Sequence, residues 1–277
     1  MVKCLVACPV CNANISKLYN AKIGDFIRSY GKVKVTRSQL GVCHVCGHAF
    51  FTELYTNDTI KRLYKDYYSP QYLAKRKLIE PSLTTTNIYN KTDAKCIAYA
   101  YMKYCRGDVN ILDYGGFDGS YIPNHFGESH VYDLSNTPLD NGSVRVHKPQ
   151  KNHYDMVICS NILEHTPYPR KTIDKVLQYV KPNGIVVFVV PAFAHFRVMW
   201  KRKQYINCLY SMRNWRRGIR KLLHYGTTLI QYEHFHFYTE LSLKGLILEQ
   251  ARIINLYIGY NGKVQHNICC IVRKEVL

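Results

Sequence analysis

The stretch NILDYGGFDGSYIPNHFGESHVYDLSN, residues 110–136, decides the fold. Ile111 and Leu112 lead as an apolar strand into Asp113. Gly115, Gly116 and Gly119 follow, where the backbone must turn tightly and approach a ligand with no Cβ in between. The turn is expected to open a helix whose free N–H groups face that ligand. A second short strand over residues 130–132 ends at Asp133, twenty residues after Asp113, the offset at which a carboxylate accepts hydrogen bonds from ribose hydroxyls. A glycine turn alone would mean plain chain reversal; the second acid makes it a ligand site.

Downstream, the pattern alternates strand and helix. Residues 144–147 are a weak strand candidate. YDMVICS, residues 154–160, is a buried parallel strand running into NILEH, residues 161–165. A helix is expected over 170–180, a Pro-Asn-Gly turn follows, and IVVFVV, residues 185–190, is the next strand. Thr239 caps a helix reaching residue 250, and the apolar segments 253–259 and 268–272 are two further strands. Upstream, residues 91–105 carry Ile97, Tyr101 and Tyr104 on one helical face. Residues 58–77 read as a basic helix that begins at Asp58 and is interrupted by Pro70.

At these residues the chain resembles the class I S-adenosylmethionine-dependent methyltransferases, whose first motif runs apolar-acid-x-Gly-x-Gly-x-Gly. Asp113, Gly115 and Gly119 fall on it, and Phe117 takes the place of the middle glycine. The resemblance implies an α/β fold with a Rossmann-like seven-stranded sheet whose last strand is antiparallel. It implies that Asp113, Gly115, Gly116 and Gly119 hold the methionine part of S-adenosylmethionine, that Asp133 holds the ribose, and that Ser160, ending the fourth strand, borders the cofactor. Leu-Glu-His after that strand borders the methyl-transfer pocket in this family, so Glu164 and His165 are either site residues or a pair that fixes the loop. A nicotinamide dinucleotide is the competing ligand; the order of later elements favours the methyltransferases.

The chain of 277 residues, 47% hydrophobic, suits one ordinary domain with a small satellite. Its apolar runs are too short for a membrane span or a secretion signal, so a cytoplasmic protein is expected, and with it cysteines that are thiols or metal ligands. Cys8-Pro-Val-Cys11 and Cys43-His-Val-Cys46 form two C-x-x-C knuckles. Four such thiolates close a tetrahedral structural zinc site, the alternatives being buried free cysteines or a redox pair. The segment between them reads as short strands, the usual filling of a zinc ribbon.

Formal charge is +19 and unevenly spread: residues 1–107 carry 17 basic and 6 acidic side chains, whereas residues 108–194 carry 7 and 9. Residues 195–232 hold nine basic side chains, no acid and both tryptophans. There Ile206, Leu209, Met212, Trp215, Ile219 and Leu222 recur at helical spacing, opposite Arg213, Arg216, Arg217 and Arg220. Such an insert caps the site, lies on an anionic membrane or grips phosphates. The expected organisation is a zinc ribbon over 1–57, a helical connector over 58–107 and the cofactor domain over 108–277, with the insert at 195–232.

A narrower resemblance lies after the insert. Glu233-His234 followed by aromatics looks like the Tyr-His-Glu-His segment of nucleotide-sugar C-methyltransferases, which also carry an N-terminal four-cysteine zinc module. It implies methyl transfer to a small, anionic or saccharide-type acceptor. His234 is then the base, Glu233 orients it, Tyr232 stabilises an oxyanion and His165 is the reserve base. Two other functions fit the residues: an RNA methyltransferase gripping nucleic acid through zinc ribbon and insert, and a binding protein on a decayed fold, suggested by Phe117.

Overall fold

The computed structural model describes residues 3–15, 17–67, 69–79, 91–123, 127–139, 141–193, 229–231, 233–261 and 264–275. In chain order the elements begin with β1 (Lys3–Cys4), β2 (Lys17–Ile23), α1 (Asp25–Tyr30), β3 (Arg37–Val42), β4 (Ala49–Phe51) and β5 (Glu53–Leu54). Helices α2 (Asn57–Lys65), α3 (Pro70–Ile79) and α4 (Lys91–Tyr104) follow. Then come β6 (Ile111–Tyr114), β7 (Ser129–Tyr132), β8 (Val144–Arg145), β9 (Tyr154–Ser160), a 3-10 turn (Leu163–His165), α5 (Pro169–Tyr179) and β10 (Val180–Pro191). The chain closes with β11 (Leu229–Gln231), β12 (His236–Phe237), the helix Glu240–Leu248, here α6, β13 (Arg252–Asn261) and β14 (Val264–Arg273).

The larger sheet has seven strands in the order β13-β14-β10-β9-β6-β7-β8. β8, β7, β6, β9 and β10 run parallel, while β14 is antiparallel to both β10 and β13. This is the α/β sheet the resemblance implies. Its central strands are buried on both faces, which is why they read as continuous apolar runs. Leu112, Val157, Val186 and Phe188 pack on one face with Ile173 and Val176 of α5 and Leu243 and Leu246 of α6. Ile111, Met156, Ile158 and Val187 pack on the other with Ile97 and Ala100 of α4.

The helix expected to open after the glycine turn is not formed among the described residues, where 115–123 are turns and bends, and helix ends elsewhere differ in detail from the sequence expectation. The cap of α2 is Thr56, whose hydroxyl accepts from the Thr59 N–H at 3.3 Å, and Asp58 lies in the first turn. Pro70 starts α3, where its missing N–H costs nothing. Residues 25–30, expected as strand or hairpin, form α1 because Phe26 and Ile27 are drawn into a core shared with α2 and α3. Cys96 of α4 and Cys269 of β14 are joined in a disulfide, which corrects the all-thiol expectation; α4 lies directly on that strand.

The smaller sheet has five strands in the order β11-β2-β3-β4-β12. Its inner strands come from the cysteine-bearing N-terminal segment and its two edges from residues 229–237. Residues 195–228 of the basic insert, and Tyr232, lie outside the described residues. Among the described residues no helix is long and apolar enough to cross a membrane.

Candidate active site

The site forms where β6, β7 and β9 end at their carboxyl termini, the crevice in which open parallel sheets bind ligands. β6 is buried along its whole length and delivers Asp113 into the protein, 1% exposed. Its Oδ2 finds no hydrogen-bond partner among the described residues. Burial, with Asp133 and Asp118 nearby, pushes its carboxyl up to about 8. An orphaned buried carboxyl oxygen of this kind fits a ligand that brings positive charge or donors.

The turn wraps that carboxyl. Gly115 is left-handed, φ +80°, and its N–H donates to the Tyr132 carbonyl at 2.6 Å. A Cβ on Gly116 would lie 2.3 Å from Asp113 Cγ, so glycine is what lets the backbone pass so close. Gly119, φ +77°, donates its N–H to the Gly116 carbonyl at 2.7 Å and accepts from Asn141 Nδ2 at 2.7 Å. Phe117, in the middle-glycine position, is itself left-handed at φ +48°. The loop therefore keeps the glycine conformation at a strain of about 1–2 kcal/mol. The Phe117 N–H donates to Asp133 Oδ2 at 3.2 Å, its carbonyl accepts from Arg145 Nη2 at 2.7 Å, and its ring meets Tyr67 edge-on. Asp133 also accepts from the Ser135 N–H at 2.6 Å, so both its oxygens are aimed by backbone donors, each with a lone pair to spare.

A cavity of about 420 Å³ opens over this turn, within the size range of small-ligand sites. Asp113, Gly115, Gly116, Asp133 and Ser160 line it, together with Ile60 and Tyr64 of α2 and Tyr67 just beyond that helix. Gly119 is not among the lining residues. Asn161, φ +55°, donates to Asp93 Oδ2 of α4 at 3.0 Å and to Ser160 Oγ at 3.1 Å, and Asn267 of β14 also bonds Asp93. This fixes the end of β9 beside the cavity, which Asp93 and Asn161 also line.

His165 also lines the cavity. Its Nδ1 is 2.6 Å from the Tyr64 hydroxyl, and burial pushes it down to about 4, with Glu233 opposing and Arg76 adding to the effect. His234 meets His165 edge-on, ring centroids 4.5 Å apart, and is not itself among the residues lining the cavity. Glu164 is buried and pushed up to about 8 by that burial, with Asp93 contributing. Glu164, His165 and His234 each present a ligand atom within 4.8 Å of the others. Glu233 is engaged elsewhere: its Oε1 lies 2.5 Å from Arg76 Nη1 and accepts from the Tyr72 hydroxyl at 3.3 Å. Burial alone would raise its carboxyl, but the Arg76 guanidinium outweighs that and holds it down at about 2.

The structure thus brings His165 and His234 together and sets Glu233 on Arg76. Tyr64, Arg76, Tyr72 and Asp93 escaped the sequence reading. Tyr64 belonged to an ordinary apolar helix face, and nothing local marks Arg76 as buried.

The four knuckle cysteines also converge, all Sγ atoms within 4.8 Å. Cys8 and Cys46 are 3.7 Å apart and Cys11 and Cys43 3.5 Å. Tetrahedral zinc with Zn–S bonds of about 2.3 Å separates its sulfurs by about 3.8 Å, so the cluster fits such an ion. His48 turns away from it, its Nε2 3.2 Å from His236 Nδ1.

The family model for the methyltransferase domain matches residues 72–251, well over half of the chain and inclusive of the turn, both acids and the Leu-Glu-His segment. The chain belongs to this methyltransferase family. Among solved structures, the 1,6-didemethyltoxoflavin-N1-methyltransferase of Burkholderia thailandensis, with bound 1,6-didemethyltoxoflavin and S-adenosylhomocysteine, is similar in fold. The identity is 11%, the TM-score 0.50, and 86% of this chain and 96% of that one are covered. The N-methyltransferase NodS of Bradyrhizobium japonicum, in complex with S-adenosylhomocysteine, matches at 14% identity and TM-score 0.45, covering 74% of this chain and 97% of that one. No curated protein matches the sequence. The methyltransferase is S-adenosylmethionine-dependent by family, and the seven-stranded sheet with its antiparallel strand β14 is the fold of that family.

Proposed function

We propose that this methyltransferase transfers a methyl group to a small saccharide-type acceptor, such as a nucleotide sugar or glycan precursor, in the cytoplasm. The observation that carries the site is one cavity lined by Asp113 and Asp133 together with Tyr64 and His165. When bound, S-adenosylmethionine supplies an electrophilic methyl on a sulfonium. Asp113, Gly115 and Gly116 hold the methionine part and Asp133 the ribose, with Ser160 bordering the cofactor and Gly119, outside the lining, closing the turn that presents them. That Phe117 keeps the left-handed turn supports a working cofactor loop over a decayed one.

The chain must also hold the acceptor and remove its proton. His165, fixed through Nδ1 by Tyr64, is a poor base at neutral pH and is given the task of orienting the acceptor. His234, beside it, takes the proton. Glu233 acts through its ion pair with Arg76, which clamps the segment carrying His234. Tyr232 is retained as the oxyanion donor for a carbon acceptor. The four cysteines hold a structural zinc ion, a reading supported by their sulfur spacing.

The test offers radiolabelled S-adenosylmethionine with a panel of nucleotide sugars and, separately, with RNA. Label is expected in a nucleotide sugar; label in RNA alone, lost steeply as salt rises, would overturn the saccharide reading in favour of a nucleic-acid acceptor. With the acceptor in hand, His234→Gln should lower turnover by on the order of 10² to 10⁴ at unchanged cofactor affinity, and His165→Gln by less. A folded His234→Gln enzyme with full turnover removes that residue from the chemistry.

A further inference from the structure

At the opposite end of the large sheet from the cavity, three metal-ligating side chains meet that the methyltransferase reaction does not use. Glu128 and His130 stand at the start of β7, and His153 immediately precedes β9. Each offers one ligand atom, all within 4.8 Å of one another. We propose that Glu128, His130 and His153 bind a divalent transition-metal ion, of the zinc or nickel type, as a clip between the starts of β7 and β9.

The backbone that carries them is held in place before any ion arrives. Gly127, φ +107°, lies so close to Val109 that a Cβ would sit 2.3 Å from its carbonyl oxygen, which lets Glu128 come up against the edge of β6. The Glu128 carbonyl accepts from the Ile111 N–H at 2.8 Å, and the His153 N–H donates to the Tyr179 carbonyl at 3.0 Å. The two imidazoles are nearly parallel, 13° apart, at 6.2 Å between centroids. His130 Nδ1 is 2.9 Å from the Tyr154 hydroxyl, so in the proposed site Nε2 ligates and Tyr154 is the outer partner that orients the ring. His153 Nε2 and Glu128 Oε2 are 2.9 Å apart, closer than the roughly 3.4 Å between ligands of a tetrahedral ion, so the exposed glutamate has only to swing outward to admit one. Two imidazoles and a carboxylate select zinc, nickel or copper over magnesium or calcium, and the remaining coordination positions fall to water. Glu128 is 58% and His153 25% exposed, so the ion exchanges from solvent.

The experiment is calorimetric titration of Ni²⁺ into the tag-free 277-residue methyltransferase with its cysteine cluster already loaded with zinc. One further ion per chain is expected, and His130→Ala and His153→Gln should each weaken it by about tenfold or more. Glu128→Gln, at an exposed side chain, should do the same without disturbing folding, which far-ultraviolet circular dichroism checks. Uptake that is absent in the wild type, indifferent to all three substitutions, or seen only at millimolar nickel would reduce the cluster to a surface ion pair that collects an adventitious ion only.

Discussion

Asp113 carries its charge where the fold least welcomes it. Because folding raises its pKa from the ordinary carboxylate range to about 8, the ligand-free protein loses stability as pH rises from about 4 to about 8, and Glu164, also about 8, acts in the same direction. A ligand that brings positive charge reverses this and drives the proton out. Binding of S-adenosylmethionine at pH 7 should therefore release most of one proton, measured as a calorimetric enthalpy that varies with the ionisation enthalpy of the buffer. Asp113→Asn should abolish that variation; a wild-type enthalpy independent of buffer would place the cofactor's charge elsewhere. At this scale the sequence was informative where chemistry is local: Asp113, the glycines and Asp133 lie within one continuous stretch, and five of the six residues expected to touch the cofactor line one cavity. Tyr64 was not legible, since its hydroxyl acquires meaning only from a histidine 101 residues away.

Helix α3 and the segment after β11 are joined by a single buried ion pair. Arg76 and Glu233 side chains are 7% and 9% exposed, with the Tyr72 hydroxyl completing the group. Breaking such a pair from one side leaves an uncompensated buried charge, so Arg76→Ala should cost about 3–5 kcal/mol in urea denaturation. The double variant Arg76→Ala with Glu233→Gln should recover part of that loss; costs that simply add would show the two side chains to be independent. Elements with their own period, such as β9, α5 and α6, were readable to within a few residues because burial on both faces of a sheet, or one face of a helix, writes itself into the sequence, whereas β10 starts at Val180, taking the expected Pro-Asn-Gly turn into the strand across a register shift. β11 and β12 were not readable, because strands of three and two residues carry no period and their partners lie far away in the chain.

At the scale of the whole molecule, the cysteine-bearing segment and the cofactor domain are packed as one body. The small sheet takes its edges from residues 229–237, Thr239 donates its hydroxyl to the Cys46 carbonyl at 2.9 Å, and Cys8, Cys43 and Cys46 share a core with Val157, Val186 and Leu243. These contacts were not legible in the sequence spacing, because knuckles are local and sheet edges are not. If zinc sits on the four cysteines, its removal should lower the unfolding temperature of the entire chain in one transition; calorimetry that resolved two transitions, the second unmoved, would show an independent module instead. In the proposed site, S-adenosylmethionine binds in the cavity over the Asp113 turn with Asp133 on its ribose. Removing that carboxylate takes away a charged acceptor, a loss of about 1.5–3 kcal/mol, or roughly tenfold and upward in affinity. Titration calorimetry of S-adenosylmethionine into the wild type and Asp133→Ala tests this most directly. One cofactor per chain and a dissociation constant weakened about tenfold or more in the variant are predicted. An unchanged constant, or a wild type that binds none, would contradict it.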